Sequence, residues 1–165
     1  MLPIRWVAAS SAIEDTNANL WLPDQFVQVG RRRELAEVVS NTNDPELYKS
    51  ERYGNFNYAI PVSVDNTYSL TLHFSEHWWG APNYGGPPSE AGGKRLFDVY
   101  CNGVYLLQNY DIFKQADRSL RAVSVTFHGI KPNHQGKIQL SLCLRDIMRV
   151  SMRVKSTRNA LTDAR

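Results

Sequence analysis

Hydrophobic and polar residues alternate along several short stretches of the chain. The alternation is clearest in residues 70–74, and it returns in residues 123–127 and 138–144. Successive side chains of a strand point to opposite faces of a sheet, so each stretch predicts a strand with one buried face. A further strand is predicted over residues 58–62. It contains a proline, which belongs at a strand end or a sheet edge because it cannot donate a ladder hydrogen bond.

Turn signals separate these stretches. Residues 96–100 and 104–107 are strand-like and flank the dipeptide Asn102-Gly103. This dipeptide favours a type I′ hairpin, because both central residues of that turn need positive φ. Short strands with such punctuation predict an all-β, jelly-roll-like antiparallel sandwich. Helical signal is limited to short turns, over residues 31–39 and 111–115.

One segment, residues 78–93, breaks this rhythm. It reads WWGAPNYGGPPSEAGG and holds five of the ten glycines and three of the eight prolines, a density that excludes regular structure. The sequence therefore predicts one long Gly/Pro-rich loop. Loops of this length in a compact domain are usually functional or disordered.

Composition indicates one globular domain. The chain has 165 residues, of which 42% are hydrophobic and 21% charged. No apolar run approaches the roughly 20 residues that a membrane span needs, and no signal peptide is visible, so we expect no membrane insertion by this segment. We expect residues 1–155 to form the sandwich and residues 156–165 to form a disordered basic tail.

The net charge of +3 is concentrated near the C-terminus. A nearly neutral body with a basic end lacks the basic folded face of a nucleic-acid-binding protein, so no nucleic-acid partner is predicted. The basic residues of this end are Arg145, Arg149, Arg153, Lys155, Arg158 and Arg165.

Metal-binding signals are weak. Cys101 and Cys143 are too few for a metal framework, and because both lie in strand-like runs we expect free thiols. His73 and His77 would lie about 13 Å apart on a strand, too far for one ion. No Asp/Asn-rich calcium loop is present. The sequence predicts no metal and no cofactor.

Signatures of catalysis are equally sparse, since the chain has no nucleophile elbow and no phosphate loop. Glu76 and Asp98 are acids in apolar surroundings, and a glycosidase needs two carboxylates. The favoured interpretation is that these acids form buried ion pairs with Arg52 or Arg95. We predict no catalytic residues.

Aromatic residues concentrate in residues 48–58 and 78–84. A sugar ring has an apolar C–H face, so it suits a flat aromatic surface bordered by hydrogen-bonding groups. Trp78 and Trp79 can share such a surface only if the chain leaves the strand there, because adjacent strand residues face opposite ways. The alternative is that one tryptophan lies in the core and the other supports the loop.

Five segments appear in an order that points to a known family. They are WLPDQF (21–26), LYKSERYGNFNYAIPV (47–62), LHFSE (72–76), FDVYCNG (97–103) and NYDIF (109–113). Together they resemble the motifs of malectin-type carbohydrate-binding domains. The resemblance extends over roughly residues 4–155.

The resemblance implies a β-sandwich that binds carbohydrate and has no enzyme activity. The family's ligand contacts fall on Tyr53, Trp78 and Trp79, and an acid of its last strand falls on Asp146. Bacterial relatives are usually modules of exported proteins, so we expect an extracytoplasmic module of a longer chain.

The sequence therefore favours a non-catalytic module that stacks a glucose-type or related oligosaccharide on exposed aromatic residues. The alternative is a protein-interaction or structural domain of a larger exported, receptor-like protein that has lost sugar binding. A glycoside hydrolase using Glu76 and Asp98 is a third hypothesis.

Overall fold

The structure is a computed structural model that describes residues 3–80 and 95–145, and the backbone of residues 151–158. A short 3-10 turn spans Pro45–Tyr48, and one α-helix, α1, spans Ile112–Ala116. The strands of the described residues are β1 (Ile4–Val7), β2 (Ile13–Glu14), β3 (Leu20–Pro23), β4 (Arg31–Glu34), β5 (Ser50–Tyr53), β6 (Phe56–Pro61), β7 (Tyr68–Ser75), β8 (Leu96–Cys101), β9 (Val104–Asp111), β10 (Val123–Ile130), β11 (Lys137–Leu144) and β12 (Ser151–Arg158).

Two sheets and a ribbon contain these strands. The larger sheet has the order β10-β7-β12-β1-β3-β2, and the smaller has the order β6-β11-β8-β9. The ladders are antiparallel except where β1 runs parallel to β3. Strands β4 and β5 form a separate antiparallel ribbon. The predicted all-β fold is confirmed.

The main core fills the space between the two sheets. Leu72 and Phe74 of β7 are fully buried on one side, and Phe97 of β8 and Leu140 of β11 are fully buried on the other. The Phe74 and Phe97 ring centroids lie 5.4 Å apart. Alternate residues of each strand therefore form the packed face, as their period-two pattern predicts.

A second hydrophobic cluster, separate from the main core, contains Trp21, Tyr48 and Ala122. His73 of β7 meets the Trp21 ring edge-on, with the ring centroids 5.5 Å apart. Since Leu72 and Phe74 point into the main core, His73 between them lies on the outer face of the larger sheet. The cluster therefore covers that outer face.

Most local predictions are confirmed. Asn102 and Gly103 have φ values of +49° and +83° between β8 and β9, as a type I′ turn requires. Pro61 ends β6, which is an edge strand of its sheet. The predicted helical turn at residues 111–115 forms as α1, and the Asp111 carboxylate accepts the Lys114 backbone N–H at 3.1 Å.

The predicted helical turns over residues 31–39 are wrong. Arg31–Glu34 forms β4, and its register sets Arg33 opposite Glu51 of β5. Three consecutive arginines crowd one turn of a helix, whereas in a strand they alternate between two faces. Here Arg32 and Arg33 reach separate carboxylates, those of Glu34 and Glu51. Val38 is 68% exposed while Val39 is 2% exposed, so the two do not share a buried face either.

Strand β12 lies between β7 and β1 and pairs with both. It ends at Arg158, so residues 156–158, which were expected in the tail, belong to the strand. Cys101 and Cys143 are free thiols, with Cys101 buried and Cys143 partly buried. Among the described residues, no helix is long and apolar enough to cross a bilayer.

Candidate functional site

Tyr53 stands at the end of β5, on a ribbon that two glycines shape. Gly30 precedes β4 with φ +106°, and a Cβ at this position would lie 2.6 Å from the Cβ of Phe56. Gly54 follows Tyr53 with φ +85°. Both positions require glycine-like backbone freedom, and the close approach at Gly30 holds the ribbon against β6.

A pocket of about 470 Å³ opens beside the partly exposed Tyr53. The Oδ1 atom of Asn55 accepts the Leu144 backbone N–H at 2.8 Å, which fixes the Asn55 amide in the pocket wall. A volume in this range matches small-ligand sites in proteins. The remaining lining residues are Gly30, Arg31 and Gly54.

The two tryptophans follow β7 at a turn that Glu76 organises. The Glu76 carboxylate accepts the backbone N–H groups of Trp78 and Trp79 at 2.7 and 3.1 Å. The Ser119 hydroxyl donates to the Gly80 carbonyl oxygen at 2.8 Å, which ties the turn to the segment after α1. The chain therefore leaves the strand after Ser75, as a shared aromatic surface requires.

The two indoles differ in exposure. Trp79 is 7% exposed, and Trp78 is partly exposed. Trp78 therefore keeps some accessible surface, although its indole Nε1 is buried, while Trp79 packs inside. This arrangement corresponds to the alternative in which one tryptophan lies in the core.

Glu76 is buried and forms an ion pair with Arg95, with Nη2 and Oε1 3.2 Å apart. Burial raises the pKa of Glu76 above its ordinary value of 4.5, while the charge of Arg95 and the two backbone N–H groups oppose that rise. The nearby charge of Glu51 adds to it. The predicted pairing of Glu76 with Arg95 is confirmed.

Asp98 pairs differently from the prediction. Its Oδ2 lies 2.7 Å from Nε of Arg145, and its Oδ1 accepts the Asn109 backbone N–H at 2.8 Å. Arg52, the expected partner, instead donates to Asp24 at 2.6 Å. The ion-pair partner of a carboxylate in a strand depends on which cation the tertiary fold places beside it, and sequence spacing does not predict that partner.

The Tyr53 segment and the Trp78 segment each follow a buried carboxylate, Glu51 and Glu76 respectively. Glu51 of β5 acts electrostatically on Glu76, which precedes Trp78 by two residues. Glu51 and Tyr53 share one face of β5, because they are two residues apart on a strand. Tyr53 thus lies two residues after one of these two carboxylates, and Trp78 lies two residues after the other.

Asp146 and the predicted loop after Gly80 lie outside the described residues. Arg31 and Asn55 are lining residues that sequence analysis missed. The run of three arginines could have pointed to Arg31, but only its pairing with β5 places Arg31 beside Tyr53.

A second pocket, of about 500 Å³, lies by the outer face of the larger sheet. It is lined by polar groups including His73, Asp117 and Arg121. Its aromatic residue, Tyr48, is only 5% exposed and offers no open ring face. Among the described residues, no three His, Cys, Asp or Glu side chains gather as a metal site requires.

Comparison with known proteins decides the family. The family model for the Malectin domain matches residues 7–161. The chain belongs to the malectin domain family. Malectin-A of Xenopus laevis is 32% identical over 87 residues, which cover 52% of this chain and 28% of that protein.

Kinesin-like protein KIN-14E of rice (Oryza sativa subsp. japonica) is 40% identical over 77 residues, covering 46% of this chain and 6% of that protein. The matched segment therefore spans little more than a quarter of Malectin-A.

Solved structures share the fold of this malectin domain at low sequence identity. The ANX2 ectodomain of Arabidopsis thaliana aligns with a TM-score of 0.74 and 17% identity, over 95% of this chain and 42% of that one. A β-glucuronidase of Bacteroides uniformis aligns with a TM-score of 0.72 and 16% identity, over 96% of this chain and 18% of that one. These likenesses show that the same sandwich occurs within larger chains.

Proposed function

We propose that this malectin domain is a non-catalytic module that holds a glucose-type or related oligosaccharide against Tyr53 and Trp78. The observation that carries the proposal is the pocket of about 470 Å³ at Tyr53. A phenol ring there borders amide and guanidinium groups. Sugar rings need this combination of an apolar platform and a polar rim. Trp78 does not line this pocket, and it is included because the family resemblance implies a ligand contact at that position.

The strength of such a site follows from the area that it covers. Stacking one pyranose on an aromatic ring removes roughly 100 Å² of apolar surface from water, which stabilises the complex by about 2–3 kcal/mol. Two such contacts, less the entropy cost of association, correspond to a Kd of roughly millimolar to micromolar. An affinity in this range is sufficient for a binding module of a longer chain, because linked modules that bind together raise the overall avidity.

The other predicted contacts take different roles in this proposal. Trp79 supports the Trp78 turn from inside and stacks no sugar, since it is 7% exposed. Asp146 supplies a hydrogen-bond acceptor for sugar hydroxyls, as the resemblance implies. Glu76 and Asp98 hold the fold and carry out no reaction, because each accepts hydrogen bonds from neighbouring backbone and faces an arginine.

The setting is that of an extracytoplasmic module in a longer chain. The ANX2 structure is an ectodomain, and this chain covers 42% of it. The same observations favour a second candidate, a protein-interaction domain that has lost sugar binding. The burial of Trp79 supports that candidate, because it leaves fewer open rings for stacking.

The test is a titration with maltose and cellobiose, followed by tryptophan fluorescence and calorimetry. Tyr53→Ala and Trp78→Ala should each weaken binding about tenfold or more, by loss of one stacking contact. Tyr105→Ala is the matched control: Tyr105 is 46% exposed on β9, outside the pocket lining. No response to either sugar at tens of millimolar rejects the proposal. Equal losses in all three variants reject this placement of the site.

A further inference from the structure

The ribbon of β4 and β5 begins with three consecutive arginines, of which two have carboxylate partners. Arg32 pairs with Glu34 at 2.8 Å. Arg33 lies 2.6 Å from the fully buried carboxylate of Glu51. Arg31 is exposed and makes no ion pair with any residue of the ranges that the structure describes. Within the described ranges, the charge of the Arg31 guanidinium is therefore uncompensated.

The register places that guanidinium beside the aromatic ring. Arg31 pairs directly with Tyr53, and Arg33 pairs with Glu51. Because alternate residues share a face, Arg31 lies on the same side of the ribbon as Arg33. Arg31 and Tyr53 both line the pocket of about 470 Å³. A ligand stacked on Tyr53 would meet the Arg31 side chain at its edge.

The backbone at Arg31 is fixed by its neighbours. Gly30 has φ +106° and sits against Phe56, so the chain enters β4 in one defined conformation. On the opposite strand, Gly54 and Asn55 turn the chain into β6, and Asn55 is bonded to Leu144. The separation of the arginine and tyrosine Cα atoms is thus set by the fold, which preorganises the pair for a ligand.

From this juxtaposition we infer that the Tyr53 pocket selects an acidic oligosaccharide, in which a uronic acid carboxylate pairs with Arg31 while a pyranose ring stacks on Tyr53. The inference rests on the proposed function and names the ligand class of that same site. A guanidinium matches the two oxygens of a carboxylate through two parallel N–H bonds. Neutral sugars would bind more weakly because they leave this cation without a counter-charge.

Two matched sugar pairs test the inference by calorimetry. Cellobiose is compared with cellobiouronic acid, and maltose with maltobiouronic acid. The members of each pair differ only at C6 of the non-reducing ring. The acid should bind about fivefold more tightly than the neutral sugar at about 0.05 M NaCl, which is the size of effect expected from a solvent-accessible ion pair. This preference should shrink at about 0.5 M NaCl, because salt screens the two charges.

Substitutions on the ribbon separate Arg31 from general positive charge. Arg31→Met should bring the acidic sugar down to the affinity of its neutral counterpart, and Arg31→Lys should keep part of the preference. Arg32→Met is the matched control, because it removes the same charge from the other face of β4. It should leave the preference unchanged. The salt series on the wild-type protein tests the same pairing if Arg31→Met fails to fold.

Each remaining outcome decides the matter. Equal affinities of the acidic and neutral members in the wild-type protein overturn the inference while leaving the proposed function intact. A preference that survives Arg31→Met in folded protein overturns it as well, because another cation must then be responsible. Failure of the wild-type protein to bind any of the four sugars rejects the proposed function, and the inference with it.

Discussion

At the scale of single residues, Glu76 connects the core to the site. Its buried carboxylate accepts two backbone N–H groups of the tryptophan turn and faces Arg95. Desolvation of a carboxylate is costly unless a counter-charge and hydrogen bonds compensate for it. Arg95, with 2% exposure, therefore has a structural role that the position of Trp78 depends on.

Arg95→Met should destabilise the protein by about 3 kcal/mol at pH 7, because it leaves the Glu76 carboxylate buried without its counter-charge. The loss should be smaller near pH 4. The folded-state pKa of Glu76 is already raised above 4.5, and removal of Arg95 raises it further. A carboxyl group whose pKa is higher in the folded than in the unfolded protein stabilises the fold at a pH below its unfolded-state pKa. This stabilisation is lost as the pH rises through its folded-state pKa.

Urea unfolding of the wild-type and variant proteins between pH 4 and pH 7 measures this difference. The double variant with Arg95→Met and Glu76→Gln is the control, because glutamine does not titrate. The loss in free energy of unfolding of the double variant, relative to the wild-type protein, should not increase from pH 4 to pH 7 as it does in the single variant. A single-variant loss that stays constant with pH contradicts the account of this pair.

At the scale of elements, the β4–β5 ribbon builds the pocket. Gly30→Ala should destabilise the protein by about 2–3 kcal/mol, because the new Cβ adds a steric clash with Phe56 to the strain of a positive φ. Gly54→Ala is the matched control, since a Cβ there meets nothing within 4 Å and only the backbone strain of about 1 kcal/mol remains. Thermal unfolding compares the two. Equal losses contradict the close packing at Gly30.

Sequence patterns were sufficient for elements whose partners are encoded locally. The alternation in residues 70–74 and the Asn102-Gly103 turn each specify a face or a bend by themselves, and both are confirmed. The ribbon is different. Whether residues 31–34 form a helix or a strand depends on Glu51, which the chain brings into register only after folding.

The same distinction applies to the candidate site. Tyr53 and Trp78 were predicted from the aromatic stretches and the family resemblance, and their role in binding stays a prediction. Trp79 follows a strand end, where the direction of a side chain depends on the turn held by Glu76 and not on strand alternation. Arg31 and Asn55 join the pocket through contacts across the fold, which no local pattern reports.

At the scale of the whole molecule, the larger sheet depends on β12. This strand pairs with eight consecutive residues of β7 and also with β1. Removal of an internal strand leaves two rows of backbone N–H and C=O groups without partners and opens two sheet edges. The sandwich therefore needs the chain to continue beyond β11.

A chain that ends at Arg145 should lose cooperative unfolding and aggregate, because it lacks β12. A chain that ends at Arg158 retains every ladder of the described residues and should unfold as cooperatively as the full chain. Circular dichroism during thermal unfolding, together with size-exclusion chromatography, measures both. Cooperative unfolding of the shorter chain contradicts the position assigned to β12.

Binding of a sugar ring on Tyr53, in the pocket of the β4–β5 ribbon, is the core of the proposed function. Its most direct test is a crystal structure of the protein grown with cellobiose and with maltose at tens of millimolar. The expected result is a pyranose lying flat on the Tyr53 ring, near Asn55 and Arg31. A sugar bound elsewhere, with the Tyr53 pocket empty, contradicts it.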